Sequence, residues 1–234
     1  MMRQVFWICV VAIAPLLAGT AAAQPPDRNW TRCAVDVNSN DNVLIESCTA
    51  VIAAGHQSDA NLAIAYSNLC LAYNDRGNHL RAIQNCDQAV KLDASHIDAY
   101  LFRGHAYFNN GDNDHAIKDY DQAVALGSNG ANTLIKRGAA YHRKGDDARA
   151  IEDLDRAIAM SPDDATAFYI RGASHQALGD NGNAIRDYSN AVRLVPSFAA
   201  AYYLRGTLEK KIGDTKKGDA DIAQARKIDP NVGK

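Results

Sequence analysis

The chain has 234 residues, with 25 basic and 27 acidic side chains, a net charge of −2 and 47% hydrophobic residues. That length supports one domain or two small ones with a true core. There is no basic excess and no basic run interleaved with aromatics, so nothing points to nucleic-acid binding.

In chain order, Arg3 precedes an uncharged apolar run over residues 5–18, followed by the small-residue exit 19–23 and then Gln24, Pro25 and Pro26. A positive start, a short apolar stretch and an Ala-x-Ala exit describe a secretory signal peptide, residues 1–23. The alternative is a retained membrane anchor, for which the run is short and contains Pro15. Cleavage after Ala23 removes Arg3 and leaves 24 basic against 27 acidic side chains, or −3. The mature chain is expected to be periplasmic or secreted, soluble and not inserted in a membrane. Four cysteines remain in it: Cys33, Cys48, Cys70 and Cys86. An even count in an oxidising compartment points first to disulfides.

Residues 24–62 differ in pattern from residues 63–232. Cys33 and Cys48 flank a turn-like run at 38–42, and "VLIESCTAVI" at 43–52 matches "LRAIQNCDQAV" at 80–90, placing Cys48 opposite Cys86. A divergent N-terminal capping hairpin is expected here. "DVNSND" at 36–41 starts like a calcium loop. It has Asp41 where glycine is needed and Ser47 where a bidentate glutamate belongs, so it is set aside.

From residue 63 onward the sequence repeats with a period of 34: 63–96, 97–130, 131–164, 165–198 and 199–232. Arg-Gly recurs at 103, 137, 171 and 205, and Gly-Asp at 111, 145, 179 and 213. Such self-similarity means stacked helix hairpins. Counting from the start of each repeat, aromatic or apolar residues occupy position 4 (Tyr66, Tyr100, Leu134, Phe168, Tyr202). Position 11 lies two turns further on the same helix face. Position 8 is Cys70, then Gly104, Gly138, Gly172 and Gly206. Glycine costs a helix about 1 kcal/mol, so its recurrence implies close approach of a second helix. That helix offers alanine at positions 20 and 27. Gly77, Gly111, Gly145, Gly179 and Gly213 suit left-handed helix ends, and the Asn or Asp after each suits an N-cap. Position 33 (Ser95, Asn129, Asp163, Ser197) is expected to cap the next first helix. Pro162, Pro196 and Pro230 stop the second helices.

Aromatic-x3-Gly-x2-Tyr, then Ala-x3-aromatic-x2-Ala, then Pro, five times in phase, resembles the tetratricopeptide repeat (TPR) family. The resemblance covers residues 63–232 and implies an all-α fold, a right-handed superhelical solenoid of about six antiparallel helix hairpins. The departure is arginine at position 7. Arg103, Arg137, Arg171 and Arg205 are each followed sixteen residues later by Asp119, Asp153, Asp187 and Asp221. In an antiparallel hairpin these positions sit at similar heights, so the pairs Arg103–Asp119, Arg137–Asp153, Arg171–Asp187 and Arg205–Asp221 are expected as structural ion pairs. The alternative is unpaired charge on a solvated face.

Cys70 and Cys86 occupy positions 8 and 24, symmetric about the hairpin turn. Disulfides Cys33–Cys48 and Cys70–Cys86 are expected, each closing a short loop worth about 3 kcal/mol. Cross-pairing between the two hairpins is the alternative. No paired C-x2-C or H-x3-H spacing supports a metal site. No catalytic motif appears, the histidines do not converge and the recurring acids read as architecture, so neither an enzyme nor a cofactor is expected. Residues 28–62 are the one stretch where an unrecognised site could sit.

The resemblance implies binding through a concave groove lined by the first helices, at positions 2, 5, 9 and 12. The candidates are Leu101, His105, Phe108, Ile135, His142, Tyr169, Gln176, Tyr203 and Lys210. Packing between repeats is the alternative role for some of them. Chaperone-tail clamps of this family carry lysine at position 5 and asparagine at position 9, which no repeat here has. The function expected is a monomeric scaffold for a protein or peptide partner. The alternative is an accessory subunit of a cell-envelope assembly that uses its convex or end surfaces.

Overall fold

The computed structural model describes residues 28–34 and 40–234. The expected leader, 1–23, and residues 36–39 of the calcium-like stretch lie outside the described residues. Among those described there are twelve helices and no strand. The first two are α1 (Arg28–Ala34) and α2 (Asp41–Ala54). Then come α3 (Asp59–Asp75), α4 (His79–Leu92), α5 (Ile97–Asn109), α6 (Asn113–Ala125), α7 (Ala131–Lys144) and α8 (Asp147–Met160). The last four are α9 (Ala165–Ala177), α10 (Asn181–Leu194), α11 (Ala199–Lys211) and α12 (Thr215–Ile228). None is long and apolar enough to cross a membrane. Each helix packs on its neighbours in sequence, and the odd-numbered series α3, α5, α7 and α9 also packs side by side. The result is a solenoid of helix hairpins.

Local chemistry explains the hairpins. The glycines closing α3, α5, α7, α9 and α11 have φ between 74° and 98°, the left-handed region that ends a helix without a Cβ penalty. The next residue, Asn78, Asp112, Asp146, Asp180 or Asp214, accepts a hydrogen bond from the backbone three residues on. The first-helix caps differ from expectation. The capping residue is position 34, not 33, and only Asp164 makes a side-chain cap there; His96, Gly130 and Phe198 make none.

Within a hairpin the helices touch at the small residues. The alanines at positions 20 and 27 are all fully buried. A Cβ on Gly104 would meet the Tyr120 ring at 2.9 Å, and one on Gly172 would meet Tyr188 at 3.0 Å. In the first repeat, Cys70 and Cys86 stand where these glycine–aromatic pairs stand, and they are disulfide-bonded with Cα atoms 5.4 Å apart. Cys33 and Cys48 are bonded likewise, with Cα atoms 4.8 Å apart, tying α1 to α2. All four sulfurs sit in apolar clusters.

The arginines link hairpins as well as helices. Arg103 holds Asp119 through two hydrogen bonds of 2.8 and 2.7 Å, and reaches Asp87 of the preceding hairpin at 2.7 Å. Arg137 does the same with Asp153 and Asp121, and Arg171 with Asp187 and Asp155. Arg205 holds Asp221 and reaches the Ser189 hydroxyl. The bidentate partners are buried or nearly so, while the outer ones are about half exposed. The hydrogen bonds to Asp153 keep Arg137 above its ordinary pKa, against the opposing effect of burial.

Candidate functional site

The side-by-side packing of α3, α5, α7 and α9 forms one continuous lined face. Three cavities follow it. The first, of about 260 Å³, lies between α3, α5 and α7, against Leu71, Asp75, Leu101, His105, Asn132 and Lys136. The second, of about 320 Å³, is bounded by His105, Phe108, Ile135, Lys136, Asp164 and Ile170. The third, of about 360 Å³, lies over Phe108, Ala139, His142, Arg143, Tyr169 and Ala173. Shared walls join them into a run that touches four repeats.

Six of the nine groove candidates meet here: Leu101, His105, Phe108, Ile135, His142 and Tyr169. Their roles differ. Ile135 is only 7% exposed and belongs to the apolar core, so it is floor rather than a protruding contact. Tyr169 leans on Phe198, with ring centres 4.8 Å apart, and on Tyr188 at 5.9 Å. Phe108 is covered by the Arg143 guanidinium, 3.8 Å from the ring centre, and Arg143 also donates to the Phe108 carbonyl.

The other three lie outside these cavities. Gln176 accepts the Tyr188 hydroxyl at 2.9 Å. Tyr203 is pressed against Gly233 of the C-terminal tail. Lys210 is exposed and paired with Asp219 at 2.6 Å.

The histidines are held by neighbours. His142 Nδ1 lies 2.6 Å from Asp147 and 3.2 Å from the buried Ser174 hydroxyl. These three residue types resemble a hydrolytic triad, but both partners face the same ring nitrogen. A proton relay needs the carboxylate on one nitrogen and the nucleophile on the other, so this arrangement holds the ring in place and does not activate the serine. The Asn74 amide donates to His105 Nδ1 at 3.2 Å, and its oxygen accepts from His79 and Asn109. Burial, with Lys136 and His79 nearby, depresses the His105 pKa to about 4. No group of three metal-ligating side chains occurs among the described residues.

Sequence reasoning missed the residues at positions 6 and 13. Phe102, Lys136 and Ile170 hold the first of these, and Asp75 and Arg143 the second; all line the cavities. The signal was present: Lys136 is the one cation at a position that is Asn68, Phe102, Ile170 and Leu204 in the other repeats.

The TPR repeat profile matches residues 104–145 and 140–179, and the tetratricopeptide repeat profile matches 169–217. No curated protein sequence matches the chain. Among solved structures, it is similar to YrrB, described as a TPR protein with an unusual peptide-binding site. That match has a TM-score of 0.64 and 21% identity, covering 80% of this chain and 95% of that one. It is also similar to MamA from Desulfovibrio magneticus, with a TM-score of 0.66, 20% identity and coverage of 74% and 97%. A third is pilF of Pseudomonas aeruginosa, with a TM-score of 0.63, 20% identity and coverage of 71% and 78%. At these identities the likeness is one of fold. With these profiles matching residues 104–217, inside the array of 34-residue repeats, the chain belongs to the tetratricopeptide-repeat family.

Proposed function

We propose that this protein is a non-enzymatic interaction scaffold that takes a peptide or an extended partner segment along the face of α3, α5, α7 and α9. The run of joined cavities across four repeats carries this reading, because a continuous trough over rigid helices fits a chain better than a compact substrate. The walls are pre-formed by core packing, so little order is lost on the receptor side when a segment docks. Two buried disulfides and the leader-like N-terminus support work in an oxidising compartment, the periplasm or the cell exterior.

The test is in-compartment crosslinking and capture with wild type and Ala139→Arg. Ala139 lines two of the cavities, so arginine there fills the trough without removing a packing contact. Loss of the captured protein supports the groove. A second reading uses an edge surface: Leu178 and Ile212, both 58% exposed, occupy the same position in consecutive repeats. Loss of the partner only in Leu178→Asp/Ile212→Asp would favour it.

A further inference from the structure

Three donors at the central cavity, between α5, α7 and α9, have no acceptor. Lys136 makes no hydrogen bond or ion pair with any described residue, although burial lowers its pKa. The Tyr120 hydroxyl is buried and equally unpartnered among the described residues, and Tyr120 lies against this cavity. An internal control shows what is missing. Two repeats later the equivalent Tyr188 donates to Gln176, whereas the residue at the Gln176 position in the Tyr120 repeat is Phe108, which cannot accept. The third donor is His105. Its Nδ1 accepts from Asn74 and its ring is neutral at ordinary pH, so Nε2 carries the proton.

A buried donor without an acceptor is costly, and a half-buried cation more so. The one carboxylate on the wall, Asp164, already accepts the Thr166 and Ala167 N–H groups at the start of α9. Asp75 faces Lys136 from α3 but does not reach ion-pair distance. The cavity therefore has a cation, neutral donors and an apolar floor of Phe108, Ile135 and Ile170, and its one carboxylate, Asp164, is bonded through Oδ1 to the start of α9 and forms no ion pair with Lys136.

We infer that this cavity reads an internal acidic side chain, Asp or Glu, flanked by apolar residues in the partner segment, with Lys136 as its counter-charge. The inference rests on the face being a peptide groove.

The test uses the full mature chain and C-terminally amidated random peptides on a display library. Selected peptides are enriched for an acidic residue beside apolar ones. Changing that residue to its amide, or Lys136→Gln in the protein, weakens binding by about tenfold or more. Lys136→Glu reverses the preference toward a basic peptide residue. The peptide-side change leaves the protein untouched, so a folding defect cannot mimic it. Peptides that lose affinity in Ala139→Arg but not in Lys136→Gln, or that lack the acidic residue, would overturn the acid-reading role and leave the groove standing. Selection that returns no peptide sensitive to Ala139→Arg overturns both.

Discussion

Arg137 and Asp153 are joined across their hairpin by two parallel hydrogen bonds of 2.7 Å each. The Asp153 side chain is 6% exposed, while Asp121, the second partner of Arg137, is 50% exposed. The two contacts should therefore differ sharply in worth. Arg137→Met strands a buried carboxylate and is expected to cost about 3–5 kcal/mol. Asp121→Asn removes a solvated contact and should cost less than about 1 kcal/mol. Arg137→Met/Asp153→Leu should recover much of the single-mutant loss. Urea denaturation of the four proteins checks this; equal costs for the two single variants would contradict the assignment.

The disulfides make a second expectation. Cys70 and Cys86 close a loop of sequence separation 16 at the closest approach of α3 and α4. Replacing both by alanine should lower stability by about 3 kcal/mol in the chain-entropy model. The Cys33–Cys48 bridge ties down the short helix α1, so its loss should appear as rapid amide exchange in α1. In the oxidised protein none of these four cysteines should react with an alkylating reagent, folded or unfolded, until a reductant is added.

The crossing glycines separate two kinds of crowding. A Cβ on Gly138 would meet the Leu154 side chain at 3.0 Å, which a rotamer change relieves in part. One on Gly206 would meet the Gly218 carbonyl oxygen at 2.7 Å, and backbone has nowhere to go. Alanine returns up to about 1 kcal/mol of helix propensity at either site. Gly138→Ala should thus be close to neutral or mildly destabilising. Gly206→Ala should cost about 1–3 kcal/mol, read as a fall in melting temperature.

His105 gives the fold a pH dependence of known sign. Its folded pKa is depressed from 6.5 to about 4, so the unfolded chain binds the proton more readily between those values. Its contribution is present above pH 6.5 and is lost as pH falls toward about 4. Lys136 and His79 face the ring and reinforce the effect. His105→Gln should flatten the melting-temperature profile across that window. A slope unchanged by the substitution would place the pH sensitivity elsewhere.

The architecture was legible because each repeat states it again. Spacing alone placed Arg103 sixteen residues from Asp119, and one hairpin's geometry is enough to pair them. It did not reveal Asp87 as the second partner, since that contact depends on how one hairpin is rotated against the next. The same rotation brings position 6 of one first helix opposite position 2 of the next. That is why Lys136 and Ile170 were missed while Leu101 and Phe108 were found. Tyr203 shows another contact that helix position does not reveal: the chain's own Gly233 lies against its ring.

The most direct measurement is the affinity of the captured partner, by calorimetric titration, for wild type, for Ala139→Arg and for Glu152→Lys on the exposed face of α8. Groove recognition requires Ala139→Arg to weaken binding by tenfold or more, about 1.4 kcal/mol, with Glu152→Lys unchanged. Unchanged affinity in Ala139→Arg, with loss in Glu152→Lys, would contradict it and move the working surface to the second helices.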